Sequence, residues 1–275
     1  MKKILGVIVI SVLVLTLGLY LFNNKEKDLL TYVTIDINPS VQFVIDNKDV
    51  LVEVNALNDE ADIALSDLEL VGLNIDEATE KYLKRITEIG YIDEFGENNY
   101  VTVTAYSNGE ELRTKVENKV LEKTRLFLEQ RNIYGQVVSK IMTTELKEEA
   151  DNYNVSNGKM LLIERAYYLN NSLDKEQLSK LTVKEIQQKV KESVNRRYDE
   201  KEMGKEAFKQ FALEQKDIRL QETSFRLNEI IEEVSNENED RIKDVPASDR
   251  QKVIEELLKE RKEQIKKNIN RGNNQ

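Results

Sequence analysis

Residues 31–54 read TYVTIDINPSVQFVIDNKDVLVEV, three short runs (31–37, 41–45 and 50–54) in which apolar and β-branched residues recur at every second position. The runs are separated by Asn38-Pro39-Ser40 and by Asp46-Asn47-Lys48-Asp49, both rich in turn-forming residues. A period of two, punctuated in this way, predicts a meander of strands. Downstream the period changes. Asn74 or Asp76 caps a predicted helix whose apolar residues Ala78, Tyr82, Leu83, Ile86 and Ile89 fall at helical spacing until Gly90. Residues 99–106, NYVTVTAY, read as a further strand, followed by a helix over 110–131 with Leu112, Val116, Val120, Leu121, Thr124 and Leu128 on one stripe. Residues 134–141 complete the pattern as a last strand. Strands, helices and strands in this order predict a compact α+β domain over residues 29–141.

Composition narrows the chemistry. The 275 residues include no Cys, no His and no Trp. Imidazole and thiolate metal sites, Ser/His/Asp and Cys/His catalytic sets and redox pairs are therefore excluded. No cofactor and no metal site is expected, and any chemistry rests on carboxylates, hydroxyls, amides or Lys. There are 51 acidic and 41 basic residues, a formal charge of −10. Acidic and basic residues balance from Asp174 to the C-terminus, so the whole excess lies before it. An acidic first half and a mixed-charge second half lack the clustered basic face that phosphate-backbone binding needs, so no nucleic-acid partner is expected.

The region flanking the α+β domain on its N-terminal side is of another kind. Residues 4–22, ILGVIVISVLVLTLGLYLF, form an uncharged run of nineteen, which at about 1.5 Å per residue matches the hydrocarbon thickness of a bilayer. The run is longer than a signal-peptide core and leaves through Tyr20-Leu21-Phe22-Asn23-Asn24-Lys25, which offers no small-residue cleavage site. A single-pass transmembrane helix is expected, with residues 1–3 as a cytoplasmic stub. Lys2 and Lys3 set its N-terminus inside, leaving the bulk of the chain extracytoplasmic.

From residue 143 onward the signals are helical. Ser156-Asn157-Gly158-Lys159 opens a helix, and Thr182-Val183-Lys184-Glu185 matches a capping box opening another through Ile186, Val190 and Val194. Residues 142–200 read as a helical extension of the α+β domain, and 205–275 as charged amphipathic helices. In the first of these, Phe211, Ile218 and Phe225 lie seven residues apart, interrupted by Gln215 and Glu222. The spacing leaves helical self-association open. The fold class is thus α+β with an N-terminal transmembrane helix and an all-helical C-terminal region.

The Asn38-Pro39-Ser40 turn carries the functional reading. By composition it is a strand-ending turn, since Pro fixes φ and lacks an N–H. Yet Tyr32-Val33-Thr34-Ile35-Asp36-Ile37-Asn38-Pro39-Ser40-Val41-Gln42-Phe43, followed by Val52-Glu53-Val54-Asn55-Ala56-Leu57-Asn58, resembles the extracytoplasmic middle domain of RsgI-family anti-sigma factors. Ser156-Asn157-Gly158-Lys159-Met160-Leu161-Leu162-Ile163 is similar to that family's Gly-Lys segment at a helix start, and the similarity runs over residues 31–191. The resemblance implies a sigma-factor regulator with a SEA-like domain that cuts itself between Asn38 and Pro39. The two pieces would stay together non-covalently until an intramembrane protease processes the membrane-attached one.

The residues themselves support such chemistry. The Asn38 side-chain amide nitrogen can attack its own carbonyl carbon, forming a succinimide and releasing Pro39, with proximity as the catalytic effect. Asp36 would assist proton transfer and Ser40 would bond the developing oxyanion, or both are turn residues only. The family places a cytoplasmic sigma-binding domain before the membrane helix, where this sequence has three residues. Either the start lies upstream of Met1 or the sensor persists without the inhibitor, so direct sigma-factor binding by this polypeptide is not expected. A non-catalytic cell-envelope scaffold or stalk is the competing reading. Beyond single-turnover self-cleavage no turnover enzyme is expected, because acidic pairs such as Glu110-Glu111 and Glu232-Glu233 are sequence neighbours that diverge on a helix surface.

Overall fold

The computed structural model describes residues 30–107, 109–140, 143–200 and 204–272. The apolar run at 4–22 lies outside them. Among the described residues no helix is long and apolar enough to cross a membrane.

The predicted meander forms as β1 (Thr31–Asp36), β2 (Ser40–Ile45) and β3 (Leu51–Ala56). They join β4 (Tyr100–Ser107) and β5 (Gln136–Ser139) in one sheet of order β3-β2-β1-β4-β5. β1 runs antiparallel to both neighbours, from Thr31↔Ile45 to Asp36↔Ser40 on one side and from Thr31↔Ser107 to Asp36↔Thr102 on the other. The pair β4–β5 is parallel. The first strand in sequence is therefore central in the sheet.

Both faces of the sheet are covered, and the period-two pattern decides which side chain goes where. Val33 and Ile35 of β1, with Val41, Phe43 and Ile45 of β2 and Val101, Val103 and Ala105 of β4, point to one core. That core is completed by α1 (Asp59–Leu65), α2 (Ile75–Glu88) and α3 (Glu110–Gln130). The α2 N-cap is Asn74, whose Oδ1 accepts from Asp76 N at 2.8 Å, and its exit is Gly90 at φ +74°. Tyr32, Val44 and Tyr106 point the other way, into a second core with α5 (Asn157–Leu169), α6 (Lys175–Lys180) and α7 (Val183–Glu200). α4 (Thr144–Asn152) packs beside α5 and buries Ala150 there. Ser156 caps α5, accepting from Lys159 N at 3.3 Å. The Thr182/Glu185 capping box forms in both directions, Thr182 N to Glu185 Oε2 at 2.7 Å and Glu185 N to Thr182 Oγ1 at 3.2 Å. Gln42 on β2 and Gln187 on α7 are joined across this layer at 2.8 Å.

The remaining helices are α8 (Lys205–Glu237), α9 (Glu239–Ile242) and α10 (Ala247–Gly272). α8 lies on the outer side of α1 and is fastened there by a face that apolar periodicity does not mark. Phe208, Ala212 and Lys216, each four residues apart, are its buried positions toward the domain. Ala212 belongs to the first core, and Lys216 reaches Asp67 at 2.7 Å. The heptad-spaced Phe211, Ile218 and Phe225 remain exposed, Phe225 at 64%. Close approach requires a small residue at Ala212, and the long Lys216 stem covers apolar surface while its ammonium meets a carboxylate. α10 returns along α8 through Val234 and Leu257 and reaches the domain by Lys262–Glu94 and by Lys266 Nζ to Asn132 Oδ1 at 2.8 Å.

Candidate functional site

The β1–β2 connection has three residues, Ile37, Asn38 and Pro39, between the paired Asp36 and Ser40. It is closed by Ile37 N donating to Pro39 O at 3.0 Å. Asn38 is exposed and sits at φ +60°, whereas Pro39 is buried. A left-handed backbone is uncommon for any residue but Gly, though Asn tolerates it best. The following proline further disfavours helical conformations at the preceding residue. Such a conformation costs on the order of 1–3 kcal/mol and persists only where its surroundings hold it.

Two groups of hydrogen bonds hold it. On the flank, Ser40 Oγ donates to Asp36 Oδ1 across the strand pair. Arg165 of α5 donates from Nη2 to Ser40 Oγ at 3.1 Å and places Nη1 3.5 Å from Asp36 Oδ2. Ser40 therefore has its single proton committed to Asp36 and accepts from Arg165. Over the turn, Asn58 takes part in three bonds. Its Oδ1 accepts from Ser40 N and from Ala61 N, both at 3.0 Å, and its Nδ2 donates to Asn38 Oδ1 at 2.9 Å. Leu57 N adds a backbone bond to Ser40 O at 2.9 Å.

Away from the turn, each of the two cores buries a tyrosine: Tyr82, packed edge-on against Phe43, and Tyr106, paired with Tyr32 on β1. Burial pushes the Tyr82 hydroxyl far above its ordinary value, and the Asp36 charge adds to the effect. Burial likewise raises Tyr106, with the Arg165 charge partly offsetting it. Both hydroxyls stay protonated over the physiological range.

All four residues singled out in the sequence, Asp36, Asn38, Pro39 and Ser40, come together here because β1 and β2 pair without offset. Asn58 and Arg165 join them from 20 and 125 residues away along the chain, counted from Asn38 and Ser40 respectively. Asn58 carries a local signal, an Asn followed by Asp59 and Glu60, which is the signature of a helix N-terminus. Arg165 has none, since one Arg in an amphipathic helix is unremarkable until the sheet is assembled.

Comparison with known proteins bears on this region. A family model described as the anti-sigma factor RsgI-like central domain matches residues 30–165, a span that ends on Arg165. Among curated relatives, anti-sigma-I factor RsgI7 of Acetivibrio thermocellus is 25% identical over 162 residues, covering 59% of this chain and 30% of the relative. RsgI6 of the same organism is 30% identical over 173 residues, 60% of this chain and 21% of the relative. RsgI4 is 25% identical over 194 residues, 70% and 35% respectively. The chain thus spans between 21% and 35% of the length of these relatives.

Proposed function

The chain belongs to the RsgI family of anti-sigma factors by virtue of its central domain, and from this we propose that it is a membrane-anchored regulatory protein whose extracytoplasmic domain cuts itself between Asn38 and Pro39. The observation that carries the reading is the left-handed, pre-proline Asn38, held in a three-residue turn by bonds from two other elements.

The reaction needs no cofactor. Asn38 Nδ2 attacks the Asn38 carbonyl carbon, a five-membered imide closes, and the C–N bond to Pro39 breaks. One proton leaves Nδ2 and ends on the Pro39 nitrogen, with Asp36 as the group that carries it. Pro39 also closes the competing route. Ordinary Asn deamidation begins with attack by the next residue's backbone N–H on the side chain, and proline has none. Nor can an adjacent hydroxyl take over the acyl group, because the residue after the scissile bond is proline and Ser40 lies one further on. Relief of the strained Asn38 backbone favours cleavage, and the fixed turn replaces the entropy cost of finding the reactive geometry.

In the cell, residues 4–22 would anchor the chain in a single pass with the domain outside. The short membrane-attached piece would then be a substrate for an intramembrane protease, and the name of the relatives points to a sigma factor as the regulated partner. The deciding measurement is intact mass and N-terminal sequence of the C-terminally tagged chain beside Asn38→Ala and Pro39→Ala. A fragment beginning at Pro39 in the wild type, absent in Asn38→Ala, is the expected result. An intact chain would leave the turn as a structural connection in an envelope scaffold.

A further inference from the structure

We infer that Asn58 is the positioning residue of this turn, the group that presents Asn38 with its amide nitrogen rather than its amide oxygen free to react. This rests on the self-cleavage reading above and specifies how that site is set.

An Asn side chain is nearly symmetric in shape, and which end is nitrogen is decided by its partners. Asn58 is unambiguous in this respect. Its Oδ1 faces two backbone donors, Ser40 N and Ala61 N, each at 3.0 Å. Its other end must therefore be Nδ2, and that end meets Asn38 at 2.9 Å. Only the Asn38 oxygen can accept there. Asn38 Nδ2 is thereby turned away from Asn58, and it makes no hydrogen bond to a described residue. The donated bond also draws electron density toward Asn38 Oδ1 and eases loss of a proton from Nδ2 as it attacks. The same residue holds the leaving side, because its Oδ1 grips the Ser40 backbone immediately after Pro39. One side chain thus fixes both partners of the reaction, and the first turn of α1 fixes that side chain.

Asn58→Asp separates this role from its structural one. The carboxylate keeps an acceptor for Ser40 N and Ala61 N and is an equally good helix N-cap, but it sets an acceptor against Asn38 Oδ1. Cleavage of the tagged full chain at neutral pH should slow at least about tenfold relative to wild type. As the pH falls and the introduced carboxyl gains a proton, it donates again, and the ratio of variant to wild-type rate should climb back toward one. Asn58→Ser keeps a cap acceptor but is too short to reach Asn38, and should be slow at every pH. An unchanged neutral-pH rate in either variant overturns the inference. So does an Asn58→Asp rate ratio that stays low throughout the acid range, which is what a purely structural role gives. A wild-type chain that never cuts refutes instead the self-cleavage reading on which the inference stands.

Discussion

Replacing Phe208 by Ala tests whether α8 belongs to the cooperative unit of the sheet. The side chain is 2% exposed and packs edge-on against Tyr198, with ring centroids 5.3 Å apart at 60°. Aromatic side chains bury on the order of 150 Å² or more, so loss of this one at about 25 cal/mol per Å² removes ~4 kcal/mol. Extended-chain references overstate burial, and Ala retains part of it, so about 3 kcal/mol is expected. For a domain of this size that lowers the melting midpoint by about 6–12 °C. The sharper assay is hydrogen exchange of the full chain, read separately for α8 and for β1. Because Ala212 lies in the same core as Val33 and Ile35, the loss should appear in β1 as well, as a fall in protection of about a hundredfold. If α8 exchanges faster while β1 keeps its wild-type protection, the helix is an independent unit and the reasoning fails.

Gly90→Ala should destabilise by about 1–2 kcal/mol, since φ is +74° and the new methyl would stand 2.7 Å from Thr223 Oγ1. Adding Thr223→Ala, followed by urea denaturation, should recover only the part due to the clash. Stability should also be flat from about pH 8 to 5, since the chain has no His, and should decline in acid. Burial alone would raise the Asp67 carboxyl, but hydrogen bonds and charge from Lys216 and Arg85 outweigh it and hold the group below the usual carboxylate range. Asp49 is held down in the same way, with Lys119 and Lys115 prevailing over burial. Groups depressed on folding stabilise above their unfolded pKa of about 4, and that contribution disappears as the pH falls through the lower folded values. A urea midpoint that drops already between pH 7 and 5 would contradict this assignment.

The meander was legible because period-two alternation survives even in a strand buried on both faces, where Tyr32 and Val33 simply serve different cores. The helices with clean caps, at Asn74, Ser156 and Thr182, were legible for the same reason: the cap is a local hydrogen bond between neighbours in sequence. α1 was not anticipated. Seven residues supply too few turns for an apolar stripe, and only the Asn58 cap marks its start. The docked face of α8 was hidden because only Phe208 marks it as apolar before Ala212 and a paired Lys216 interrupt it, while the more visible heptad stripe of Phe211, Ile218 and Phe225 stays in solvent. Of the turn, the four consecutive-strand residues could be named from sequence. Arg165 could not, because its role exists only once α5 has been laid across the end of β1.

The place of β1 gives the sheet a one-way character. The proposed cut at Asn38–Pro39 would leave the upstream piece, among the described residues, with one strand, yet that strand is gripped on both edges over its whole length and buried on both faces. Its departure is governed by a lifetime rather than by an equilibrium, since rejoining requires two separate molecules to meet. Departure also opens a slot between β2 and β4, two facing rows of unpaired backbone groups in the middle of what remains. The remaining piece has lost the strand that joined its two halves, so it is a changed molecule. Each copy would record a single event, and resetting the system would require a newly synthesised chain.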